Sequence, residues 1–261
     1  MKYHIGFSQS DFGLCAPQTV ILSGEPERSH YIAQTYLQNV KPLSKYRGLN
    51  SYLGNLPSGQ PLLVATSGMG APSISIVVNE LVQVGIKQFI RVGTCGSIQP
   101  YIRVGDIVIS QASLCRQGAA LDIAPAEYPA VADPFLTVAM VETARKLNVP
   151  YHLGITASVD TFYEGQERIE SSANVNLQSW LKGITSTYRS LNILNYEMEV
   201  GTLFKMAGVY GFTAACVCAV VAQRTESETI IISDKDTAVK RAIEVAIETI
   251  VGLRSLNIKN H

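Results

Sequence analysis

The chain of 261 residues has no surplus of either charge, since 21 lysines and arginines are matched by 21 aspartates and glutamates. No basic run or stripe breaks that balance, which speaks against nucleic acid or a charged membrane surface as the main partner. Long apolar runs are missing too. The longest candidate, Ala214–Ala222, falls well short of the ~20 residues needed to cross a membrane as a helix. Met1 to Gln9 lacks the basic-then-apolar order of a secretory leader. Cysteines are few and odd in number, five in all without framework spacing, a usage that suits a reducing cytoplasm. The four histidines, His4, His30, His152 and His261, are scattered, so no zinc-type ligand spacing arises. Cys216 and Cys218 stand two apart on an expected strand and read as a buried pair of small side chains, not a metal site. No stretch is rich enough in Pro, Gly or Ser to divide domains, and no internal repeat occurs, so residues 1–261 are read as one domain.

What the chain does have is apolar residues, 47% of the total, arranged in alternating β-rich and helical patterns. Thr19–Ser23, Leu62–Thr66, Gln88–Val92, Asp106–Ser110, Tyr151–Ser158 and Ala214–Ala222 read as buried strands. Between them Pro72–Val84, Pro134–Leu147 and Glu199–Val209 read as helices, and Asp236–Arg254 as a longer terminal one. Such alternation predicts an α/β fold with a largely parallel sheet wrapped by helices. Ser171–Arg189 is polar and weakly periodic, and is expected to be a mobile flap or insertion.

Several short segments carry chemistry. Thr161–Arg168 places the Phe162 ring, the Gln166 amide and the Arg168 guanidinium within eight residues. That set can stack a flat heterocycle, pair with its edge and hold negative charge developing on it, although the same residues also suit an ordinary surface loop. Gly24-Glu25-Pro26-Glu27-Arg28 follows the first strand and opens a helix, where free N–H groups and Arg28 can meet an anion; a plain strand-to-helix turn is the alternative. Arg91-Val92-Gly93-Thr94-Cys95-Gly96 puts an arginine at the end of a strand, followed by a glycine-flanked Thr94, which predicts a tight loop forming a small anion nest; a structural glycine turn with a paired arginine is the alternative. Gly68-Met69-Gly70-Ala71-Pro72-Ser73 is a poor dinucleotide fingerprint. It has Pro72 and Ser73 where a third small residue belongs and no acidic residue at the end of the next strand. In Asn195-Tyr196-Glu197-Met198-Glu199 one carboxylate can bridge a sugar diol while Met198 packs beneath the ring, or both acids can simply serve a helix N-terminus. Arg224 again places a cation at a strand's carboxyl end, and Arg47 is undistinguished by itself.

Taken together, Phe162–Arg168, Asn195–Glu199 and Arg91–Gly96 resemble the motifs of the trimeric and hexameric nucleoside phosphorylase family, a likeness running from about His4 to Arg254. The resemblance implies a single α/β domain on a mixed, partly closed β-sheet flanked by helices, in a homo-oligomer, a hexamer built from dimers with shared active sites. It implies phosphate held by Gly24, Arg28, Arg91 and Thr94, with Arg47 entering from a neighbouring subunit. Ribose would lie on Met198, with Thr94 beside it, Glu199 on its 2′- and 3′-hydroxyls and a neighbour's His4 at its 5′-hydroxyl. Phe162, Gln166, Arg168 and Arg224 would serve the base. Arg91, Gln166, Arg168, Glu199 and Arg224 are the expected catalytic residues. Inorganic phosphate is then a co-substrate, with no metal and no organic cofactor. Purine members of the family carry an aspartate after the late core strand. Here Ala222-Gln223-Arg224 has none, so the implied substrate is a pyrimidine nucleoside, uridine first, with deoxyuridine and thymidine beside it. A purine phosphorylase, a hydrolytic nucleosidase or an inactive nucleoside-binding relative are the alternatives. The chain departs from the family pattern at Cys95, a threonine elsewhere, and at Gly48, where a glutamate helps hold a monovalent cation. It departs again at Gln223, usually asparagine, and at Glu164, usually proline.

Overall fold

In the computed structural model, residues 1–14, 16–225 and 232–255 are described; Cys15 and His261, noted above, lie outside them. The strands are β1 (Thr19–Ser23), β2 (Gln38–Ser44), β3 (Ser51–Asn55), β4 (Pro61–Thr66), β5 (Gln88–Ser97), β6 (Ile107–Arg116), β7 (Tyr151–Val159), β8 (Ile193–Glu197) and β9 (Thr213–Gln223). The helices are α1 (Pro26–Tyr36), α2 (Ala71–Gln83), α3 (Gly118–Leu121), α4 (Pro134–Lys146), α5 (Ile184–Ser190), α6 (Val200–Tyr210) and α7 (Ile232–Ser255).

All nine strands join one sheet in the order β2-β3-β4-β1-β5-β8-β7-β6-β9, and β9 also pairs with β5. The run β5-β8-β7-β6-β9 therefore closes on itself, while β1 to β4 extend from it as an open wing. Pairing is mixed: β1, β4, β5 and β9 are joined in parallel, but β5 meets β8 and β6 meets β9 antiparallel. The sheet is thus less uniformly parallel than strand–helix alternation suggests, because the closure brings strands of opposite sense side by side. Among the described residues no helix is long and apolar enough to cross a membrane.

Strand alternation sorts the core onto two faces. Along β9, Ala214, Cys216, Cys218 and Val220 face the cluster containing α2 and α6 residues, whereas Ala215, Val217, Ala219 and Val221 face the cluster built by α1, α4 and α7. Ala238, Ala242 and Val245 of α7 are fully buried in that second cluster, as the amphipathic pattern of the segment predicts. Cys216 and Cys218 are buried with their sulfurs 3.6 Å apart.

Three expectations need correcting. β5 does not end at Val92. It runs on to Ser97, paired with β9 as far as Gln223, so Arg91–Gly96 is strand and no tight loop or backbone nest forms there. The glycines serve close approach instead. A Cβ on Gly93 would stand 2.9 Å from the Cys218 sulfur and 3.3 Å from an Arg91 nitrogen, and one on Gly96 would stand 3.0 Å from the Arg224 side chain. Asn195–Glu197 forms the end of β8, a strand missing from the expected set, and leads directly into the helix that its acids were expected to serve. Finally, the second half of Ser171–Arg189 is built and docked. Leu181 and Tyr188 are buried, Arg116 donates to the Tyr188 hydroxyl at 2.7 Å, and Arg189 Nε donates to the Ile98 carbonyl at 2.8 Å.

Candidate active site

Carboxyl ends of five strands meet around one cavity of about 210 Å³, where open α/β sheets bind ligands. Gly24, Glu25 and Arg28 enter from the turn after β1, Arg91, Thr94, Cys95 and Gly96 from β5, and Val221 and Ala222 from β9. Tyr196, Glu197, Met198 and Glu199 enter from the β8–α6 junction, and Phe162, Gln166 and Arg168 from the loop after β7. Met69 completes the lining. Gly24, Arg28, Arg91, Thr94, Phe162, Gln166, Arg168, Met198 and Glu199, all singled out from sequence, are therefore gathered in one place.

Arg91 is the centre of this arrangement. Its guanidinium is buried; Nη2 donates to Glu199 Oε2, and Nε lies 3.5 Å from Glu197 Oε2. Burial works against its charge, but the Glu199 and Glu197 carboxylates outweigh burial and hold the group above its ordinary value. Nη1 is buried without a hydrogen-bond partner among the described residues. Arg28 is also buried. It donates to Glu25 Oε1 at 2.6 Å and to the Val92 carbonyl at 3.2 Å, while its Nε has no hydrogen-bond partner among the described residues. Burial lowers the Arg28 pKa, Glu25 opposes that shift, and Arg91 adds to it by repulsion. Two guanidinium groups that repel each other thus line the same small cavity, each with an N–H left over.

The two acids of Glu197-Met198-Glu199 divide their work. Glu197 turns inward and caps α6, accepting the backbone N–H of Glu199 at 2.8 Å and of Val200 at 2.9 Å, together with the Ser158 hydroxyl. Glu199 turns to the cavity, where the Gly70 N–H donates to its Oε1 at 2.6 Å while Arg91 holds the other oxygen. The Gln117 amide adds a 2.5 Å hydrogen bond to the Met198 carbonyl, so both sides of this segment are pinned.

On the opposite side, the Arg168 guanidinium stacks 4.2 Å from the Phe162 ring centre, and its Nε donates to Gln166 Oε1 at 3.3 Å. Arg224 does not line the cavity. It braces the loop from behind, donating from Nη1 to the Gln166 carbonyl at 2.5 Å and from Nη2 to the Glu167 carbonyl at 3.4 Å. His4 and Arg47 also lie outside this chain's own cavity, yet close to each other. Arg47 donates to the Tyr3 hydroxyl at 3.1 Å, the Tyr3 and His4 rings are 4.8 Å apart, and His4 Nδ1 is 2.8 Å from Glu80.

Sequence reading missed the parts played by Met69, Gly70 and Tyr196. The Gly68–Ser73 glycines pass for a failed dinucleotide fingerprint, whereas Gly70 serves to hold Glu199. Nothing local announces that, since the partners are 129 positions apart. Among the described residues no group of three or more His, Cys, Asp or Glu side chains is placed to hold a metal ion.

Glu197 yields a pH prediction. Burial and then the neighbouring Glu199 charge push its pKa from 4.5 up to about 8, with Arg91 opposing. A carboxyl raised in the folded state stabilises the fold fully below its unfolded pKa and loses that contribution as pH rises through its folded value. Between about pH 4.5 and 8 the unfolding free energy of the native protein should therefore fall relative to that of Glu197→Gln, as read by denaturant titration at a series of pH values; parallel profiles would contradict the assignment.

Comparison with known proteins agrees with this geometry. Residues 18–251 match the Phosphorylase superfamily. The chain is 38% identical over 246 residues to a uridine phosphorylase of Klebsiella aerogenes, covering 94% of this chain and 95% of that one. It is 37% identical to a uridine phosphorylase of Escherichia coli, with 94% and 95% coverage. It is also 37% identical to one of Thermococcus kodakarensis, with 95% and 86% coverage. With a mixed sheet closed around the cavity, nearly its whole length matched and the family's motifs gathered on that cavity, the chain belongs to the phosphorylase superfamily.

Proposed function

We propose that the chain catalyses phosphorolysis of uridine, in which inorganic phosphate displaces uracil from the sugar and forms ribose 1-phosphate. The observation that carries this reading is the pair of buried guanidinium groups, Arg28 and Arg91, sharing a small cavity with Glu199 on one flank and the Gln166–Arg168 pair on the other. An oxyanion between the arginines relieves their mutual repulsion and accepts the N–H groups that the protein leaves unpaired, a charge-assisted contact stronger than a neutral one. Gly24 and Thr94 complete that anion site.

Ribose lies on Met198, with Glu199 accepting from the 2′- and 3′-hydroxyls. Because Arg91 holds Glu199 through Nη2 and offers Nη1 to phosphate, a single guanidinium sets the position of the sugar and its nucleophile together. A phosphate oxygen attacks the anomeric carbon as the bond to the base nitrogen breaks, and the bonding electrons pass to the uracil ring. Much of the gain comes from proximity and orientation. The rest comes from Gln166 and Arg168, which hold the charge spreading onto the uracil oxygens while Phe162 packs on the ring. Arg224 contributes by fixing the loop that carries them. No step draws on a metal or an organic cofactor. A hydrolytic nucleosidase has no use for the second buried guanidinium, and the imide edge of uracil satisfies an amide plus a guanidinium better than a purine does.

The assembly proposed is a homo-oligomer, a hexamer built from three dimers in which His4 and Arg47 complete a neighbour's cavity. Their grouping on one surface beside Tyr3, away from the chain's own cavity, supports that role. The free thiols of Cys95, Cys115, Cys216 and Cys218 accord with a cytoplasmic setting.

Release of free base from uridine should require added phosphate, and inosine should be cleaved with a kcat/KM roughly 10–100-fold lower, since a misfit base leaves both edge-reading groups unpaired. Phosphate-independent release, or equal cleavage of inosine, would overturn the reading. Shared sites are tested by mixing inactive subunits. Arg28→Ala suits this better than a change at Arg91, whose loss would strand two buried carboxylates. Dissociated and reassociated with Arg47→Ala in equal amounts, it should regain roughly a quarter of native activity, because half of randomly formed dimers then hold one intact site; no recovery in confirmed mixed oligomers would exclude donation across the interface.

A further inference from the structure

Between Gln166 and Arg168 stands Glu167, a residue that points away from the cavity. Its backbone is left-handed, with φ at 53°, a conformation that costs a glutamate energy and persists only where its surroundings enforce it. The reason for this geometry is visible on either side. Gln166 and Arg168 are both 3% exposed and line the cavity, whereas Glu167 is only partly buried and turned outward. The bend at Glu167 brings two side chains, two positions apart, onto the same cavity.

The same residue then anchors the bend. One carboxylate oxygen accepts the Gly183 N–H and the other accepts the Thr185 N–H at 2.9 Å, so Glu167 ties the loop to the first turn of α5. Thr185 in turn places its hydroxyl 3.1 Å from that of Tyr196, a wall of the cavity. From the other side Arg224 grips the carbonyls of Gln166 and Glu167. Within the loop, the Glu167 N–H donates to the Glu164 carbonyl at 3.0 Å, and the Arg168 N–H to the Tyr163 carbonyl at 2.7 Å. Gly165 closes the turn in a space where a Cβ would stand 2.9 Å from the Thr161 carbonyl oxygen.

We propose that Glu167 is a positioning residue for base recognition: its left-handed backbone and its carboxylate clamp on α5 hold Gln166 and Arg168 in register with the departing base. It touches neither nucleoside nor phosphate and acts only through its two neighbours. The inference rests on the uridine reading above.

A register defect confined to this loop weakens the base side alone. In Glu167→Ala the KM for uridine and the Ki of free uracil should rise about tenfold, while the KM for phosphate stays within about twofold. Glu167→Gln keeps an acceptor for one of the two N–H groups and should recover most of the loss. Glu167→Gly accepts positive φ without strain, so it reports on the clamp even if the alanine variant fails to fold. It should show the same selective rise in Ki for uracil. Equal losses toward uracil and phosphate, or uracil binding unchanged in Glu167→Gly, would overturn the assignment. Native protein inactive on uridine would instead overturn the substrate reading and leave the clamp to be judged by uracil binding, measured calorimetrically in the same variants; unchanged uracil binding there also refutes it.

Discussion

One buried guanidinium sets the terms for everything around it. Arg91 sits in the interior of a central strand, buried beside two acids and a second buried arginine on the wall of one cavity. Taking such a charge out of water costs several kcal/mol unless good geometry offsets it. Glu199, paired with the Arg91 guanidinium, provides the first part of that offset with Glu197 beside it, and the surrounding architecture keeps both in place. Gln117 and Gly70 reach from distant elements to do so. A site held so firmly is pre-organised for an anion, since little reorganisation remains when charge develops.

This constraint also accounts for the sheet. A flat, wholly parallel sheet would present Arg28, Arg91 and the loop after β7 along an edge. Closure of β5, β8, β7, β6 and β9 instead wraps the loop and the β8–α6 junction over the end of β5. The glycines of β5 are part of that solution, leaving room for the Arg91 and Arg224 side chains beside Cys218. Buried hydroxyls continue the pattern behind the cavity: Ser113 pairs with Ser158 at 2.7 Å, and Ser158 reaches both Glu197 and the Gly201 N–H. Ser113, Ser158, Glu197, Arg91 and Glu199 are thereby joined in one network, and perturbing one is felt by its neighbours.

Much of this was legible in the sequence, and what was not shares a physical cause. Strand cores such as Thr19–Ser23 and Ala214–Ala222 announce themselves through apolar, β-branched composition, and the apolar stripe of the last helix through its period. Phe162, Gln166, Arg168 and Glu199 stand out because their chemistry is distinctive at short range. Arg91–Gly96 misled because glycines flanking a threonine favour a turn locally, while pairing with β9, more than a hundred residues away, keeps them extended. β8 hid behind its acids, since Glu197 looks like a helix-start residue and does cap a helix from the end of a strand. Arg224 was legible only as a cation at a strand's carboxyl end, with its base-side role implied by the family resemblance; its hold on the loop's carbonyls is something no composition rule reveals. His4 and Arg47 carry no local signal, and their proposed roles depend on a second copy of the chain.

In the proposed reaction the nucleophile, sugar and leaving group fall to separate side chains, with Arg91 linking the first two and the loop clamped by Glu167 serving the third. The division makes the anion site the foundation. The most direct measurement is the anomalous difference map, at the arsenic edge, of crystals grown with arsenate as a phosphate mimic. The account predicts a single strong peak within hydrogen-bond reach of the Arg28 and Arg91 guanidinium groups and the Thr94 hydroxyl. Ordered arsenate found only elsewhere on the molecule, with this cavity empty of it, would contradict the account.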